Sequence, residues 1–199
     1  MEKEKLEELE RLFQKYGVKN RELVESEKKF LKIETYKIDL NTDKTIYRDK
    51  LVKNGGNGSA CIVVPMFDND NVLMVVQPRV FSSRGVLLDF PSGYIEAHED
   101  IEVAALRELE EETGYRAKSI KKIASYYQDE GVSDAVINVF LAKGLEKVCE
   151  PHLDKDEYLE SFITSFDSLD ELVEKEYIRS GGSQLAINKV KLLKGERKC

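Results

Sequence analysis

Three glutamates near the middle of the chain have the side-chain type and the spacing of a site for a divalent cation. Glu108, Glu111 and Glu112 stand at positions i, i+3 and i+4, which an α-helix places on one face within a turn of each other. Like charges at this distance repel each other, so a positive partner stabilises such a cluster. Carboxylate oxygens are ligands that hard cations such as Mg2+ and Mn2+ prefer. The spacing therefore predicts an oxygen-lined cation site on a helix.

A solvated, glutamate-rich helix face is the alternative interpretation of the same residues. The helical wheel argues against it, because at about 100° per residue the carboxylates continue a stripe of small and apolar residues formed by Ile101, Ala104 and Ala105. A carboxylate that borders a packed face needs a partner, since an unpaired buried charge is costly. Arg107 lies four residues before Glu111 and can pair with it along the helix.

The sequence also predicts the elements that position these side chains. Glu99 and Asp100 stand where acidic residues favour a helix start. Gly114 can readily adopt the left-handed backbone conformation that often ends a helix. Upstream, residues 86–90 are predicted to form a short strand and residues 91–93 a loop. The expected local order is therefore strand, glycine-containing loop and helix.

The segment from residue 93 to residue 115 resembles the Nudix box, whose pattern is G-x5-E-x7-R-E-U-x-E-E-x-G-U, with U a bulky apolar residue. Leu109 fills the first U position and Tyr115, less typically, the second. Every fixed position of the pattern is present: Gly93, Glu99, Arg107, Glu108, Glu111, Glu112 and Gly114. The motif is highly specific because it fixes so many residues. A looser resemblance extends over residues 45–195.

This resemblance to the Nudix hydrolases implies a Nudix-type α/β/α sandwich around a mixed β-sheet. It also implies hydrolysis of a nucleoside diphosphate that is linked to another group. In this family pattern, Mg2+ or Mn2+ is held by Glu108 and Glu112 and usually by Glu111, which is also a candidate general base. Arg107 is expected to orient one of the glutamates, and Glu99 to support the ligands or to bind the metal more weakly.

Two positions outside the glutamate cluster are predicted to bind substrate. Gln77-Pro78-Arg79 matches a Q-x-R sequence that many ADP-ribose pyrophosphatase-like members carry at a strand end, where the arginine would hold a phosphate. A surface arginine at the end of a strand is the alternative interpretation. The loop at Gly93, which often supplies a carbonyl ligand to the metal in this family, is the second position.

A downstream acidic loop partly matches the same branch of the family. Gly131, Ser133 and Asp134 fit the sequence S-P-G-x-S/T-D/E, but Glu130 replaces the proline, which leaves the choice of substrate open. Asp134 occupies the position of a loop carboxylate proposed as general base in such enzymes. Asp129 and Glu130 are competing candidates, and an acidic surface loop without a catalytic role is the alternative interpretation.

The organisation of the chain indicates one domain with an N-terminal extension. Residues 1–54 form the extension, and residues 55–199 form the Nudix domain, with the boundary in the glycine-rich stretch 54–58. The extension is predicted to contain an amphipathic helix at 2–16 and two strands, 31–39 and 45–53. The resemblance implies that such an extension builds a homodimer, but the helix is not a standard part of that pattern.

The rest of the chain is predicted to alternate strands and helices. We expect strands at 59–67, 72–77, 119–127, 135–142 and 159–165, and helices at 168–176 and 183–194.

Composition argues against several other classes of protein. The net charge of −7 and the lack of a basic stripe weigh against nucleic-acid binding. No apolar run approaches the length of about 20 residues that spans a membrane, and the charged N-terminus does not resemble a secretory signal. The three cysteines have no zinc-binding spacing and fit a reducing cytoplasm.

The leading hypothesis is Mg2+-dependent hydrolysis of a nucleotide sugar, with ADP-ribose, cleaved to AMP and ribose 5-phosphate, as the best single candidate. A Nudix hydrolase of a GDP-sugar, a dinucleoside polyphosphate, a coenzyme or a nucleoside triphosphate is the second hypothesis. A non-catalytic, nucleotide-sensing Nudix module is the third, although such modules usually lose glutamates of the box, and this chain keeps them all.

Overall fold

The computed structural model describes residues 1–22, 30–53, 58–68 and 70–196. The predicted domain boundary between residues 54 and 55 therefore lies outside the described residues. Within them the chain forms helices and strands in this order: α1 (Lys3–Tyr16), β1 (Leu31–Asp39), β2 (Thr45–Lys53), β3 (Ala60–Met66), β4 (Asn71–Pro78), β5 (Val86–Asp89), β6 (Ser92–Tyr94), α2 (Ile101–Thr113), β7 (Tyr115–Tyr127), β8 (Val136–Lys147), β9 (Glu160–Ser165), α3 (Leu169–Glu174) and α4 (Gly181–Glu196).

Seven of these strands form one mixed sheet. Its main order is β5-β4-β3-β8-β7, with β6 paired to β3 and β9 paired to β4. The strands β3 and β8 run parallel, and the other neighbours are antiparallel. The register between β3 and β4 contains the single pair Met66 and Val72, next to their turn. Beyond that pair β3 bonds to β6 while β4 bonds to β5, so the sheet opens between them and leaves space for a cavity.

Helices cover both faces of the sheet, which confirms the predicted α/β/α sandwich. On one face α2 packs its small residues Ala104 and Ala105, with Leu109, against Val63 and Phe140 of the sheet. On the other face α1, α3 and α4 surround the larger apolar core, which includes Leu9, Phe90, Phe162, Leu172 and Ile187. Helix α2 is thus fixed by close packing on the sheet, and the site that it carries is held rigidly.

The N-terminal extension divides into two parts that differ in their packing. The helix α1 belongs to the main core, because Leu9, Leu12 and Phe13 are buried against the sheet. The strands β1 and β2 instead form a separate two-stranded sheet. A backbone hydrogen bond of 2.7 Å from Leu51 to the carbonyl of Val132 joins this hairpin to the loop before β8. None of the described helices is long and apolar enough to cross a membrane.

Several predicted boundaries were wrong. The strand β7 begins at Tyr115, before the predicted residue 119, and β8 continues to Lys147, beyond the predicted residue 142. The loop predicted at 91–93 contains the start of β6, because these residues pair with β3, with Gly93 opposite Cys61. The backbone groups beside a packed helix need hydrogen-bond partners, and β3 supplies them. The helix predicted at 168–176 begins with a 3-10 turn at Phe166–Ser168 and ends at Glu174, because the backbone of Glu176 is left-handed, with φ of 60°.

Candidate active site

Local interactions fix both ends of helix α2. The Asp100 carboxylate accepts hydrogen bonds from the backbone N–H groups of Glu102 at 2.8 Å and Val103 at 3.3 Å, which caps the first turn. At the other end Gly114 has φ of 71°, and its N–H donates to the Glu110 carbonyl at 2.7 Å. Both predicted boundaries are confirmed, so the glutamates lie on the helix with the register that their spacing requires.

Arg107 joins three of the predicted site carboxylates. Its guanidinium binds Glu99 through two hydrogen bonds, Nε to Oε1 at 2.8 Å and Nη2 to Oε2 at 2.9 Å. Its Nη1 donates to Glu108 at 2.8 Å and to Glu111 at 2.9 Å, and Nη2 also donates to the carbonyl of Tyr94 at 3.1 Å. The predicted pairing with Glu111 is present, and the same arginine also positions the other two carboxylates. Arg107 lowers the pKa of Glu99 through these hydrogen bonds.

Glu108 and Glu112 are the most buried carboxylates of the cluster. Glu112 is 3% exposed and accepts a hydrogen bond of 2.9 Å from the backbone N–H of Ser92. Burial raises the pKa of Glu112 well above its ordinary value. Burial also raises the pKa of Glu108 to about 6, although Arg107 opposes this shift. Without a cation, burial disfavours the charged forms of these two neighbouring carboxylates. A bound cation would favour the charged forms, so the environment suits cation binding.

Gly93 allows Glu108 to approach the strand β6. A Cβ atom on Gly93 would lie 2.0 Å from Cδ of Glu108, far inside van der Waals contact. The carbonyl of Gly93 accepts a weak hydrogen bond from the buried thiol of Cys61 at 3.7 Å. The motif therefore requires glycine at position 93, because a side chain there would collide with Glu108.

A cavity of about 560 Å³ opens beside β6, where the sheet divides. Ser92 and Gly93 line it, and these two residues also contact Glu112 and Glu108. The lining also includes Arg79, Asp89, Tyr126, Gln128 and, around the start of α4, residues Ser180–Ser183. The volume lies in the range of small-molecule binding sites, and the lining combines apolar surface with a few polar groups.

Arg79 lies in this cavity and is held by Asp89. Its Nε donates to Asp89 Oδ2 at 3.1 Å, while Asp89 Oδ1 accepts from the hydroxyls of Ser180 at 2.5 Å and Ser183 at 3.1 Å. Asp89 is only 3% exposed, so its charge needs these donors. The terminal nitrogens of Arg79 have no hydrogen-bond partner among the described residues. They are available to a ligand in the cavity.

The sequence did not predict the role of Asp89 or of its serine partners. Asp89 stands in a buried strand of the sequence VLLD. A carboxylate in such a strand indicates that a polar partner lies nearby, because an unpaired buried charge is costly. The partners Ser180 and Ser183 carry no comparable signal, because they lie about 90 residues away in the chain.

A further carboxylate, Glu157, belongs to the loop before β9. Its charge raises the pKa of both Glu108 and Glu112, and its own carboxylate accepts a hydrogen bond of 3.2 Å from the backbone N–H of Asp154. Glu157 is exposed and follows a run of charged residues, so nothing in the sequence distinguishes it from a solvated loop residue.

Asp134 lies outside this cluster. Its carboxylate accepts a hydrogen bond of 2.6 Å from Lys50 of β2, and its side chain is 54% exposed. It does not line the cavity described above. Its proposed role as general base stays a prediction.

The donor set of the cluster fits a hard divalent cation. Among the described residues no three acidic, histidine or cysteine side chains are grouped closely enough to hold a metal ion as they stand. Arg107 occupies one oxygen each of Glu108 and Glu111. The second oxygens of Glu108, Glu111 and Glu112 accept no hydrogen bond within the part of the chain that the structure covers. Three carboxylate oxygens on one helix face are therefore free for a cation.

Comparisons with known proteins agree with this arrangement. The model of the NUDIX domain family matches residues 56–184. The ADP-ribose pyrophosphatase of Bacillus subtilis (strain 168) is 35% identical over 156 residues, which are 78% of this chain and 82% of that protein. The methanol dehydrogenase activator of Bacillus methanolicus is 27% identical over 183 residues, 92% of this chain and 95% of that protein. A crystal structure of ADP compounds hydrolase has a TM-score of 0.72 and 20% identity, covering 87% of this chain and 91% of its own.

The family match covers most of the chain, and it includes the cavity and every fixed residue of the box. The structural similarity independently supports the fold. This chain therefore belongs to the Nudix family and is a Nudix pyrophosphohydrolase.

Proposed function

We propose that this enzyme hydrolyses the pyrophosphate of a nucleoside diphosphate sugar, with ADP-ribose as the preferred substrate and AMP and ribose 5-phosphate as products. The similarity to the ADP-ribose pyrophosphatase of Bacillus subtilis over most of both chains carries this proposal. The cavity supports it, because Arg79 lines it with two guanidinium nitrogens that have no partner among the described residues, and Ser92 and Gly93 of the same lining contact Glu112 and Glu108. A planar guanidinium fork matches the oxygens of a phosphate group.

Nudix hydrolases generally use divalent metal ions, and Mg2+ or Mn2+ fits the oxygen donors of this site. Glu108 and Glu112, with Glu111, would hold the ion. When bound, it supplies positive charge that offsets the charge of the pyrophosphate and lowers the pKa of water. The protein residues align these carboxylates and the substrate: Arg107 holds Glu99, Glu108 and Glu111 in place, and Ser92 fixes Glu112.

A carboxylate must accept the proton of the attacking water when the new bond to phosphorus forms and the bridging oxygen leaves. Glu111 and Glu157 are both candidates, because Glu111 is half-exposed at the edge of the cluster and the charge of Glu157, in a separate loop, raises the pKa of Glu108 and Glu112. Asp134 remains a third candidate, and it would have to leave its ion pair with Lys50. Arg79 would hold the substrate phosphate during this step, and Gly93 would form the adjacent wall of the binding site.

A substrate panel tests the proposal directly. We expect ADP-ribose, in the presence of Mg2+, to give the highest kcat/KM among ADP-ribose, GDP-mannose, a dinucleoside polyphosphate, a coenzyme and a nucleoside triphosphate. Liquid chromatography should identify AMP and ribose 5-phosphate as the products. A clear preference for a nucleoside triphosphate would contradict the assignment to nucleotide sugars. Nucleotide binding without metal-dependent turnover of any compound would instead support a sensing module.

The proposal extends to a cytoplasmic homodimer in which residues 1–54 form the dimerisation region and residues 55–199 the catalytic domain. The β1–β2 hairpin supports it, because an isolated two-stranded sheet is only marginally stable. Its register places Leu31, Ile33 and Tyr47 on one face, and their exposed fractions are 48%, 66% and 63%. Exposed apolar side chains on one face suit a protein interface.

Light scattering tests this quaternary structure. We expect a dimer for the wild-type protein and a monomer for Ile33→Lys, because the lysine places a charge in the apolar face of the hairpin. Lys37→Ala, on the same face but without the apolar contact, is the matched control and should remain dimeric. A monomeric wild-type protein at micromolar concentration would rule out the dimer.

A further inference from the structure

The N-terminal helix contacts a loop that begins with the proposed phosphate-binding residue. This loop, residues 79–85, joins β4 to β5. Within it, the guanidinium of Arg84 lies 4.8 Å from the ring centre of Phe13 in α1 and 4.5 Å from that of Tyr177. The two rings also contact each other edge to face at 5.0 Å, and both are 5% exposed. The arginine thus joins the loop to α1 through a cation–π contact with two fixed rings.

The residues after α1 make two more contacts with the same loop. Arg21 donates a hydrogen bond of 2.8 Å to the backbone carbonyl of Val80. Val18 lies against Gly85 so closely that a Cβ atom on Gly85 would be 2.9 Å from its Cγ2 atom. Gly85 also has φ of +73°, which glycine adopts without strain. The segment 17–22 therefore holds the loop near both of its ends.

Backbone hydrogen bonds connect these contacts to Arg79. The N–H of Arg79 donates to the carbonyl of Gly85 at 2.9 Å, and the carbonyl of Arg79 accepts from Ser82 at 2.7 Å. A displacement of Gly85 would therefore move Arg79. The side chain of Arg179 also donates to the hydroxyl of Ser83 in this loop, at 2.9 Å. The tip of the loop is not packed, since Phe81 is 90% exposed, so the position of the loop depends on the contacts at its base.

We infer that α1 and the segment 17–22 are positioning elements for substrate binding: α1, through the contact of Phe13 with Arg84, and the segment 17–22, through Arg21 and Val18, hold the loop 79–85 so that Arg79 faces the cavity. This inference rests on the proposed role of Arg79 in holding a substrate phosphate. Both elements precede the residues matched by the NUDIX domain model, 56–184. The contacts that hold the loop 79–85 therefore come from outside the matched domain. Helix α1 therefore contributes to substrate affinity as well as to the apolar core.

The variant Arg84→Met tests the inference, because methionine retains an apolar stem against the two rings but has no charge. We expect KM for the best substrate of the panel to rise by about three- to tenfold, with kcat within about twofold of wild type. Arg84→Lys, which keeps a cation over the rings, should recover most of the affinity. Arg21→Met removes only the hydrogen bond to Val80 and should raise KM in the same direction. Thermal unfolding of each variant monitors the fold.

Lys5→Met is the matched control. Lys5 is also a cation of α1 beside an aromatic ring, 5.5 Å from the ring centre of Phe162, but it does not touch the loop. Its KM should equal that of the wild type. Equal increases in KM for Lys5→Met and Arg84→Met would show a general effect of α1 stability and would overturn the inference.

A double-mutant cycle with Arg79→Met decides whether Arg84 acts through Arg79. If it does, Arg84→Met raises KM in the wild-type background but causes no further rise when Arg79 is already replaced. An unchanged KM, or the same fold-increase in both backgrounds, would overturn the inference while the proposed function stands. A wild-type protein that hydrolyses no compound of the panel would instead reject the proposed function, and the inference with it.

Discussion

Glu112→Gln is expected to lower kcat by about three orders of magnitude in the presence of Mg2+ and, without metal, to make the protein more stable. The activity falls because a neutral amide removes a charged oxygen ligand from the cluster. The fold is retained because the amide oxygen can still accept the hydrogen bond from Ser92. Both effects follow from one observation, the burial of a carboxylate that forms no ion pair with any of the described residues.

The stability effect has a definite dependence on pH. The pKa of Glu112 is raised in the folded protein, so the folded state binds the proton more tightly than the unfolded state does. The wild-type protein without metal therefore loses stability as the pH rises above the ordinary carboxylate pKa of 4.5. Glu108, whose folded-state pKa is about 6, adds a loss in the same direction between about pH 4.5 and 6. Glu112→Gln removes the loss of stability caused by Glu112 and keeps the loss caused by Glu108.

Differential scanning fluorimetry in EDTA and in Mg2+ measures this effect. At pH 8 in EDTA, Tm of Glu112→Gln should exceed that of the wild type by at least about 2–4 °C, the shift that about 1 kcal/mol causes in a protein of this size. The difference should shrink toward pH 5. Addition of Mg2+ should raise Tm of the wild type and have little effect on the variant, because ligands stabilise only the state that binds them.

Glu110→Gln is the matched control for this substitution. Glu110 lies on the same helix, but its carboxylate binds Arg116 at 2.6 and 2.8 Å on the outer side, away from the cluster. We expect normal kcat and no gain in stability without metal. Wild-type turnover in Glu112→Gln would exclude Glu112 as a metal ligand. A lower Tm than wild type at pH 8 in EDTA would contradict the cost assigned to its buried charge.

The parts of this site that could be predicted from the sequence are those built from local interactions. Helix α2 has a 3.6-residue period of small residues, an N-cap at Asp100 and a left-handed Gly114, and all of these depend on neighbouring positions in the chain. The pairing of Arg107 with Glu111 is also local, at i and i+4. The strand β6 escaped prediction because three residues are too few to show a period of two.

The remaining parts depend on packing between distant segments, which one sequence does not reveal. Asp89 and Ser180 meet only because the start of α4 lies over the end of β5. Glu157 influences the charges of the cluster from an acidic loop whose composition is that of a solvated surface. The amphipathic period of α1 predicted a helix with a buried face, but it could not show that Phe13 would meet Tyr177 and the loop after β4.

Gly93→Ala is expected to lower kcat/KM by about a hundredfold or more while the fold is kept. The new methyl group would lie 2.0 Å from Cδ and 2.1 Å from Oε1 of Glu108, so one of the two residues must move. Pairing of Gly93 with Cys61 on β3 restrains the backbone, whereas the carboxylate is the free end of a flexible side chain. Glu108 would therefore leave its hydrogen bond with Arg107 and its place among the cluster oxygens, and a misplacement of about 1 Å can cost about a hundredfold in rate.

A second substitution tests whether this steric conflict is the cause. Glu108→Asp alone should reduce activity, because its shorter side chain draws the carboxylate away from Arg107. In combination with Gly93→Ala the same shortening relieves the contact, so the double variant should be at least as active as Gly93→Ala alone. Gly195→Ala is the control and should have wild-type kinetics, because an added Cβ meets no atom of the described residues within 4 Å outside its own helix backbone. Full activity of Gly93→Ala, or simple addition of the two losses in the double variant, would show that the closeness of Glu108 to β6 does not matter for turnover.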